Sequence, residues 1–399
     1  MNELPPARPL QPTAPPAAAG FALWSLGFRP FYLLASVFGA FSIALWMAQV
    51  SGFLPHAYLG GPLWHGHEML FGYTVAVIAG FLLTAVRAWT GQPTAVGAPL
   101  MVLAAIWVAG RILVLTPWHA AAAIVNAAFP LALAVAIAIP LLRARNVRNY
   151  FFVGLLALMS VLVAALHLAL LGMAVLPPGL GLALGLDVML FIMAVMGGRV
   201  IPMFTNNGVP GAGAARHPVV EKFALGSVLV LFLADLLQMQ SAVVAAIALI
   251  AAIAHGTRLA LWRSWRTLST PLVWILHAAY AWIVVYLVLR ALSAAGWLGE
   301  SFAIHALTVG AIGGLTLGMM TRTARGHTAR PLVADRFELA MFLLVQIAAI
   351  VRVFGGMASP ESYLASVQLS GLLWAAAFGL YAVRYWPVLT RPRLDGKPG

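Results

Sequence analysis

The sequence contains no cysteine at any of its 399 positions, and it carries very little charge. The missing thiols exclude disulfides, thiolate metal sites, c-type haem attachment and cysteine-bound iron–sulfur clusters. Charged residues make up only 8% of the chain, whereas about a quarter of a soluble domain is charged. The chain therefore cannot cover a surface that faces water, and any metal must be held by histidine, methionine, carboxylate or backbone oxygen.

The sequence consists largely of apolar runs, since 63% of its residues are hydrophobic. These runs approach or exceed the ~18–20 residues that cross a hydrocarbon layer, and they recur along almost the whole chain. The pattern predicts an all-α, polytopic membrane protein with about twelve transmembrane helices. We place them near 30–50, 67–87, 97–116, 119–142, 150–175, 180–205, 220–238, 241–262, 271–292, 301–322, 337–357 and 361–386.

The two ends of the chain differ from this pattern. Residues 1–20 are rich in proline and alanine and lack an apolar core, which is typical of a disordered tail rather than a signal peptide. Residues 21–390 are predicted to form a single transmembrane domain, because the loops between the apolar runs are short. Residues 391–399 form a C-terminal tail.

Arginine and lysine indicate the orientation. A net charge of +13 could suggest a nucleic-acid partner, but here the cations lie in short alternate loops and in the C-terminal tail, so no nucleic acid is expected. By the positive-inside rule these loops and both termini are predicted to be cytoplasmic. The cationic segments contain Arg143, Arg145, Arg148, Arg216, Lys222, Arg263, Arg266, Arg325, Arg330, Arg336, Arg391, Arg393 and Lys397.

With this orientation, most histidines fall at one membrane face. An ionisable group in lipid is costly and suggests function, and imidazole is a natural ligand for haem iron and copper. Six of the ten histidines and two carboxylates gather toward the predicted outer face: His56, His65, His67, His119, His167, His305, Glu68 and Asp187.

The roles of these residues remain open at this point. His65 and His67 diverge by ~200° on a regular helix, so they share one metal only if the chain there departs from helix. Glu68 and Asp187 are either functional groups or helix-end residues. Three arginines near the predicted outer face either reach the lipid headgroups or pair with these carboxylates or with haem propionates: Arg111, Arg290 and Arg352.

The tenth predicted helix, SFAIHALTVGAIGGLTLGMMTR, combines two patterns. Gly310, Gly314 and Gly318 form a ridge of small residues that allows close contact with another helix. His305 heads a stripe of polar and apolar side chains on one face of the helix, which packing alone does not explain.

Several long motifs resemble the NnrS family: GFRPFYLL (27–34), WHGHEMLFG (64–72), GFLLTAV (80–86), GGRVIPMFTNN (197–207) and HALTVGAIGGLTLGMMTRTARGHTARPL (305–332). The resemblance runs from about residue 21 to 390. It implies a multi-pass protein of the bacterial inner (cytoplasmic) membrane that carries haem and copper and is linked to nitric oxide metabolism and denitrification. The family's positions correspond here to His65, His67, Glu68, Asp187, Arg199, His277, His305 and His327.

These observations lead to a functional hypothesis. We expect a nitric oxide reductase-like protein with a b-type haem and a nearby copper or non-haem iron, supplied with electrons by a quinol or a cytochrome. Glu68 and Asp187 are the candidates for proton delivery or for hydrogen-bonded support of the metal ligands. The candidate cofactor-binding residues are His65, His67, His167, His277, His305, Arg111 and Arg199. The candidate ligands of the second metal are His65, His67, His305 and His327.

Two other classes of function stay open. The protein could bind nitric oxide as a sensor, or carry haem or metal, without turnover. It could also be a transporter whose carboxylates and histidines relay protons. Haem content and nitrous oxide formation separate these classes.

Overall fold

The computed structural model describes residues 20–54, 58–175 and 177–397, so His56 and nearly all of the predicted N-terminal tail lie outside the described residues. The described part is helical and contains no strand. It forms twelve helices of at least 16 residues, here α1 to α12 in chain order: Phe28–Val50, Gly61–Thr90, Ala98–Leu113, His119–Arg143, Phe151–Leu170, Pro178–Gly208, Pro218–Leu236, Ser241–Leu261, Pro271–Ala294, Glu300–His327, Arg336–Ala358 and Ser362–Thr390.

Ten of the described helices are long and apolar enough to cross a membrane, which confirms a multi-pass membrane protein. The two others are α3, which has 16 residues, and α7, which carries Glu221, Lys222 and Asp235. All twelve predicted apolar runs therefore coincide with helices. Which termini face the cytoplasm stays a prediction, and we use "outer end" and "inner end" in the sense of that orientation.

The bundle is built mainly from neighbours in sequence. From α3 to α12 each helix packs against the next, and α1 closes the bundle by packing along α12 and α2. Helix α2 is the interior element, because 83% of its apolar window is buried, against 33–67% for the other spanning helices. It contacts α1, α3, α4, α6 and α10. Residues near the start of α2 can therefore meet side chains from several helices.

The glycine ridge predicted in α10 is confirmed as a packing surface. A side chain at Gly310 would clash with Trp282, and one at Gly318 would press against Leu276, both of which belong to α9. The missing side chains let the two helices approach closely. This close packing leaves another face of α10 for α2, where Thr316 and Tyr73 share a hydrogen bond of 2.6 Å between their hydroxyl oxygens.

Three spanning helices are interrupted by π-helical turns. These are Glu68–Thr74 in α2, Ala306–Gly313 in α10 and Val351–Gly355 in α11. A π-helical turn inserts an extra residue and changes the direction in which the flanking side chains point, and such turns are frequent at functional sites. The turns begin within one residue of Glu68, His305 and Arg352, three ionisable residues of the outer half.

A polar network around Arg258 lies nearer the inner end, next to Gly198 of the GGRVIPMFTNN motif. The buried guanidinium of Arg258 in α8 donates to Glu221 of α7 at 2.9 and 2.6 Å and to the Tyr280 hydroxyl of α9 at 2.8 Å. It also donates to the Ala194 carbonyl of α6 at 2.7 Å. Gly198 leaves the space for this guanidinium, since a Cβ there would overlap with Arg258.

We expect Gly198→Ala to destabilise the protein by about 1–3 kcal/mol, because overpacking a filled site forces side chains and backbone apart. The measurement is the apparent melting temperature of the purified protein in detergent. Gly226→Ala is the matched control, since no atom lies within 4 Å of a Cβ at that helical position. Equal melting temperatures for the two variants would show that the contact with Arg258 is unimportant.

Candidate functional site

Helix α2 separates its two histidines at the outer end. The chain is regular α-helix from Gly61 to His67, and the π-helical turn begins only at Glu68. His65 and His67 therefore point to different sides of the helix, as residues two apart on an α-helix must. Each meets a histidine of another helix. We call His65 with His305 the first pair, and His67 with His167 the second pair.

In the first pair, the imidazole rings of His65 and His305 lie nearly parallel, at 8°, with their centres 6.3 Å apart. Two imidazoles that bind one metal ion from opposite sides, at about 2.0–2.1 Å each, have ring centres roughly 6 Å apart. His305 Nδ1 donates to the Ser301 carbonyl at 2.6 Å, which leaves Nε2 as the nitrogen with a lone pair. Trp46 of α1 stacks on His65 at 4.4 Å. The spacing fits one metal between the two rings.

In the second pair, His67 Nε2 and His167 Nε2 lie 3.2 Å apart. Two nitrogens that bind one metal at about 2.0–2.1 Å in a tetrahedral shell lie roughly 3.3 Å apart. The other ring nitrogens are already engaged, because His67 Nδ1 donates to Glu68 Oε1 at 2.7 Å and His167 Nδ1 hydrogen-bonds the Tyr58 hydroxyl at 3.0 Å. Carboxylate and hydroxyl partners of this kind orient metal-binding histidines. The second pair therefore fits a metal as well.

Tyr58 contacts both His167 of the second pair and His119, the first residue of α4. Burial raises the pKa of its phenol, so the group keeps its proton at neutral pH. The planes of the Tyr58 and His167 rings make an angle of 17°. The Tyr58 ring also stacks on the His119 ring, with an angle of 9° between the planes and 4.3 Å between the ring centres. Tyr58 thus holds two histidines of the outer end in place.

Glu68 is fixed by an ion pair. Arg111 of α3 donates to Glu68 Oε1 at 2.7 Å and to the side-chain oxygen of Asn126 in α4. Gly72 makes the approach of the guanidinium possible, because a Cβ there would overlap with Arg111. The second carboxylate oxygen, Oε2, is buried and has no hydrogen-bond partner among the described residues. Glu68 therefore orients His67 through one oxygen and keeps the other free.

Asp187 belongs to a different cluster of the outer half. Arg290 of α9 donates to Asp187 Oδ1 at 3.1 Å and also contacts Asp235 and the Tyr286 hydroxyl. Asp187 Oδ2 is buried without a hydrogen-bond partner in the described structure. Arg111 and Arg290, two of the three outer arginines, are thus paired with carboxylates. This was one of the two arrangements that the sequence left open for them.

The remaining candidate residues lie apart from both histidine pairs. His277 Nε2 hydrogen-bonds the Thr205 hydroxyl at 2.7 Å in the inner half. His327 ends α10 at the inner end and packs against the Phe28 ring. Arg199 donates to Asn149 at 2.7 Å. The structure therefore gathers four of the candidate histidines into the two pairs and places these three residues elsewhere.

Sequence reasoning did not identify Tyr58, Trp46 and Asn126 as parts of the site. Asn126 carried a usable signal, because it is an amide in the middle of an apolar helix, where polar side chains are costly. Tyr58 and Trp46 carried none, since aromatic residues are common at both membrane interfaces.

The described residues contain no group of three or more histidine, aspartate or glutamate side chains arranged to hold a metal. Each pair thus offers two protein ligands. Catalytic metal sites keep open positions for water or substrate, and a haem supplies four equatorial nitrogens of its own. A two-histidine site is compatible with either kind of group.

The helix bundle and the paired outer histidines define the class: a polytopic membrane protein with two buried histidine pairs in the outer half of its helices. Residues 22–393 match the family NnrS, described as NnrS protein, and this range covers nearly the whole chain. The chain therefore belongs to the NnrS family. Membership indicates a membrane protein linked to the response to nitric oxide. No curated protein matches the chain.

Proposed function

We propose that this protein reduces nitric oxide to nitrous oxide in the bacterial inner membrane, with a b-type haem and a copper or non-haem iron. The observation that carries the proposal is the presence of two histidine pairs on opposite sides of α2, with three of the four rings hydrogen-bonded through Nδ1 to an oxygen. Family membership adds the link to nitric oxide. The first pair would hold the haem, and the second pair would hold the other metal.

The reaction joins two molecules of nitric oxide with two electrons and two protons to give nitrous oxide and water. One N–N bond forms and one N–O bond breaks. A quinol or a cytochrome would supply the electrons. The bound metals would supply the redox chemistry, while the protein sets their position and electronic surroundings.

The chain itself would provide protons and hold the ligands in place. Glu68 fixes the tautomer of His67, because an ionised carboxylate accepts only from Nδ1–H. The lone pair is then on His67 Nε2, which in this structure accepts a hydrogen bond from His167 Nε2 and would turn to the metal when it binds. Glu68 Oε2 and Asp187 Oδ2 are both buried without a partner among the described residues, so each can take up a proton. Arg111 and Arg290 keep these carboxylates in position within the membrane.

The test combines three measurements on the detergent-purified protein. An optical spectrum of the reduced sample before and after anaerobic nitric oxide reports the haem, and metal analysis reports the second site. Nitrous oxide formation with a reductant reports turnover. We expect a Soret band that shifts with nitric oxide, together with nitrous oxide.

Each negative result has a distinct meaning. Haem and metal without nitrous oxide would favour a sensor or a haem or metal carrier. A protein that holds neither after expression with both supplied would overturn the redox function. Proton-coupled transport, with Glu68 and Asp187 as the residues to substitute, would then be the function to test.

We expect His167→Ala to remove the second metal and to leave the haem in place, because His167 belongs only to the second pair. A metal content that falls to about a tenth or less, with an unchanged Soret band, is the expected result. Metal analysis and absorbance on one sample measure both. Loss of both groups together would show that the two pairs do not form separate sites.

A further inference from the structure

Arg352 differs from the other arginines that are buried in the outer half. It lies in the π-helical turn of α11 and is 5% exposed. Its guanidinium donates to the Ser301 hydroxyl at 2.9 Å and to the Tyr363 hydroxyl at 3.2 Å, and it lies 5.2 Å from the Tyr363 ring centre. Both hydrogen-bond partners are neutral groups.

The charge of Arg352 is not balanced by any acidic side chain that the structure describes. Arg111 and Arg290 each form ion pairs with carboxylates, but Arg352 has no carboxylate oxygen within 4.0 Å among the described residues. Its Nη1 atom is buried and lacks a hydrogen-bond partner there. A buried cation is costly in a membrane unless it is paired, so this position calls for an anion.

Two other buried nitrogen atoms, in and beside the first pair, also lack a partner. The Trp46 Nε1 and His65 Nδ1 atoms are also buried without partners in the described part of the chain. Ser301 connects the arginine to the first pair, because its hydroxyl accepts from Arg352 while its carbonyl accepts from His305 Nδ1. A single residue, Ser301, therefore bridges the unpaired Arg352 guanidinium and His305 of the first pair.

We infer that Arg352 binds a carboxylate of the group held between His65 and His305, that is, a propionate of the haem. This inference rests on the proposed function. It assigns the haem to the first pair on a feature that the second pair lacks, since Arg111 beside the second pair is already neutralised by Glu68. Arginine suits the role because its planar guanidinium can donate two parallel hydrogen bonds to one carboxylate.

The experiment compares iron protoporphyrin IX with its dimethyl ester, which lacks the carboxylates. Full-length protein is prepared without haem in nanodiscs, and each compound is titrated into the wild type and Arg352→Gln. We expect the wild type to bind the acid at least about 30-fold more tightly than the ester, as for a buried charge pair that loses one partner. In Arg352→Gln the two affinities should lie within about threefold of each other.

Two further variants keep the result interpretable. Arg352→Lys retains the charge and should restore part of the preference for the acid. Arg322→Gln removes another buried arginine, one that faces Phe204 toward the inner end, and should behave as the wild type does. The wild-type comparison of acid and ester does not depend on the folding of any variant.

The outcomes separate the two proposals. Binding of both compounds by the wild type without preference, or an equal preference in wild type and Arg352→Gln, would overturn the role of Arg352 and leave the proposed function standing. A wild-type protein that binds neither compound would overturn the proposed function, and this inference with it.

Discussion

His65→Ala and His305→Ala are each expected to abolish haem binding, which is the largest effect that we predict for any single substitution. Each variant removes one of two rings whose 6.3 Å spacing fits a single metal between them. The haem content per protein should fall at least about tenfold, because loss of a ligand removes a metal bond as well as its hydrogen-bonded support. Absorbance of the reduced purified protein, normalised to protein concentration, measures this ratio.

The matched control for these variants is His217→Ala. His217 is exposed where α7 begins, and no expectation from sequence or structure places it near a cofactor. It should retain the full haem content. Loss of haem in His217→Ala, or full haem content in both His65→Ala and His305→Ala, would contradict the assignment of the first pair.

Arg111→Met is expected to be strongly destabilising, because Arg111 forms a buried ion pair with Glu68. It would leave the buried Glu68 carboxylate with no arginine or lysine partner among the described residues. Removal of one partner of a buried ion pair costs about 3–5 kcal/mol, because an uncompensated charge stays in a medium of low polarity. The apparent melting temperature and the yield of monodisperse protein should both fall.

A double variant tests the reason for that effect. Glu68→Gln combined with Arg111→Met removes both charges, and it should recover a substantial part of the lost stability since no unpaired ion remains. If the double variant is as unstable as Arg111→Met alone, then packing of the long arginine side chain, and not charge, accounts for the loss.

The helices were the part of the fold that local sequence could predict. The long apolar runs are recognisable in the sequence as membrane-spanning segments. In lipid, the backbone of such a segment must satisfy its hydrogen bonds within a helix. The glycine ridge of α10 could also be predicted locally, because small residues at a spacing of four favour close helix packing in membranes. The π-helical turns had no such signal, since the sequences of Glu68–Thr74, Ala306–Gly313 and Val351–Gly355 continue the apolar pattern of a regular helix.

The candidate site shows the same division between local and distant information. Sequence identified His65, His67, His167 and His305 by depth, yet it left open whether His65 and His67 share one metal. The structure separates them, because α2 remains α-helical until His67. Which histidine from a distant helix meets each of them depends on packing across the bundle, and a single sequence does not encode that in any local pattern.

The position of α2 between the pairs also bears on electron transfer. Two residues along a helix have Cα atoms about 5–6 Å apart, so cofactors held by His65 and His67 would be separated only by one helical backbone. In the proposed function, the shortest covalent path between the two bound groups would run through the peptide bonds around Gly66. An electron delivered to either group would then have a bonded path to the other, which suits the proposed reaction because it consumes two electrons.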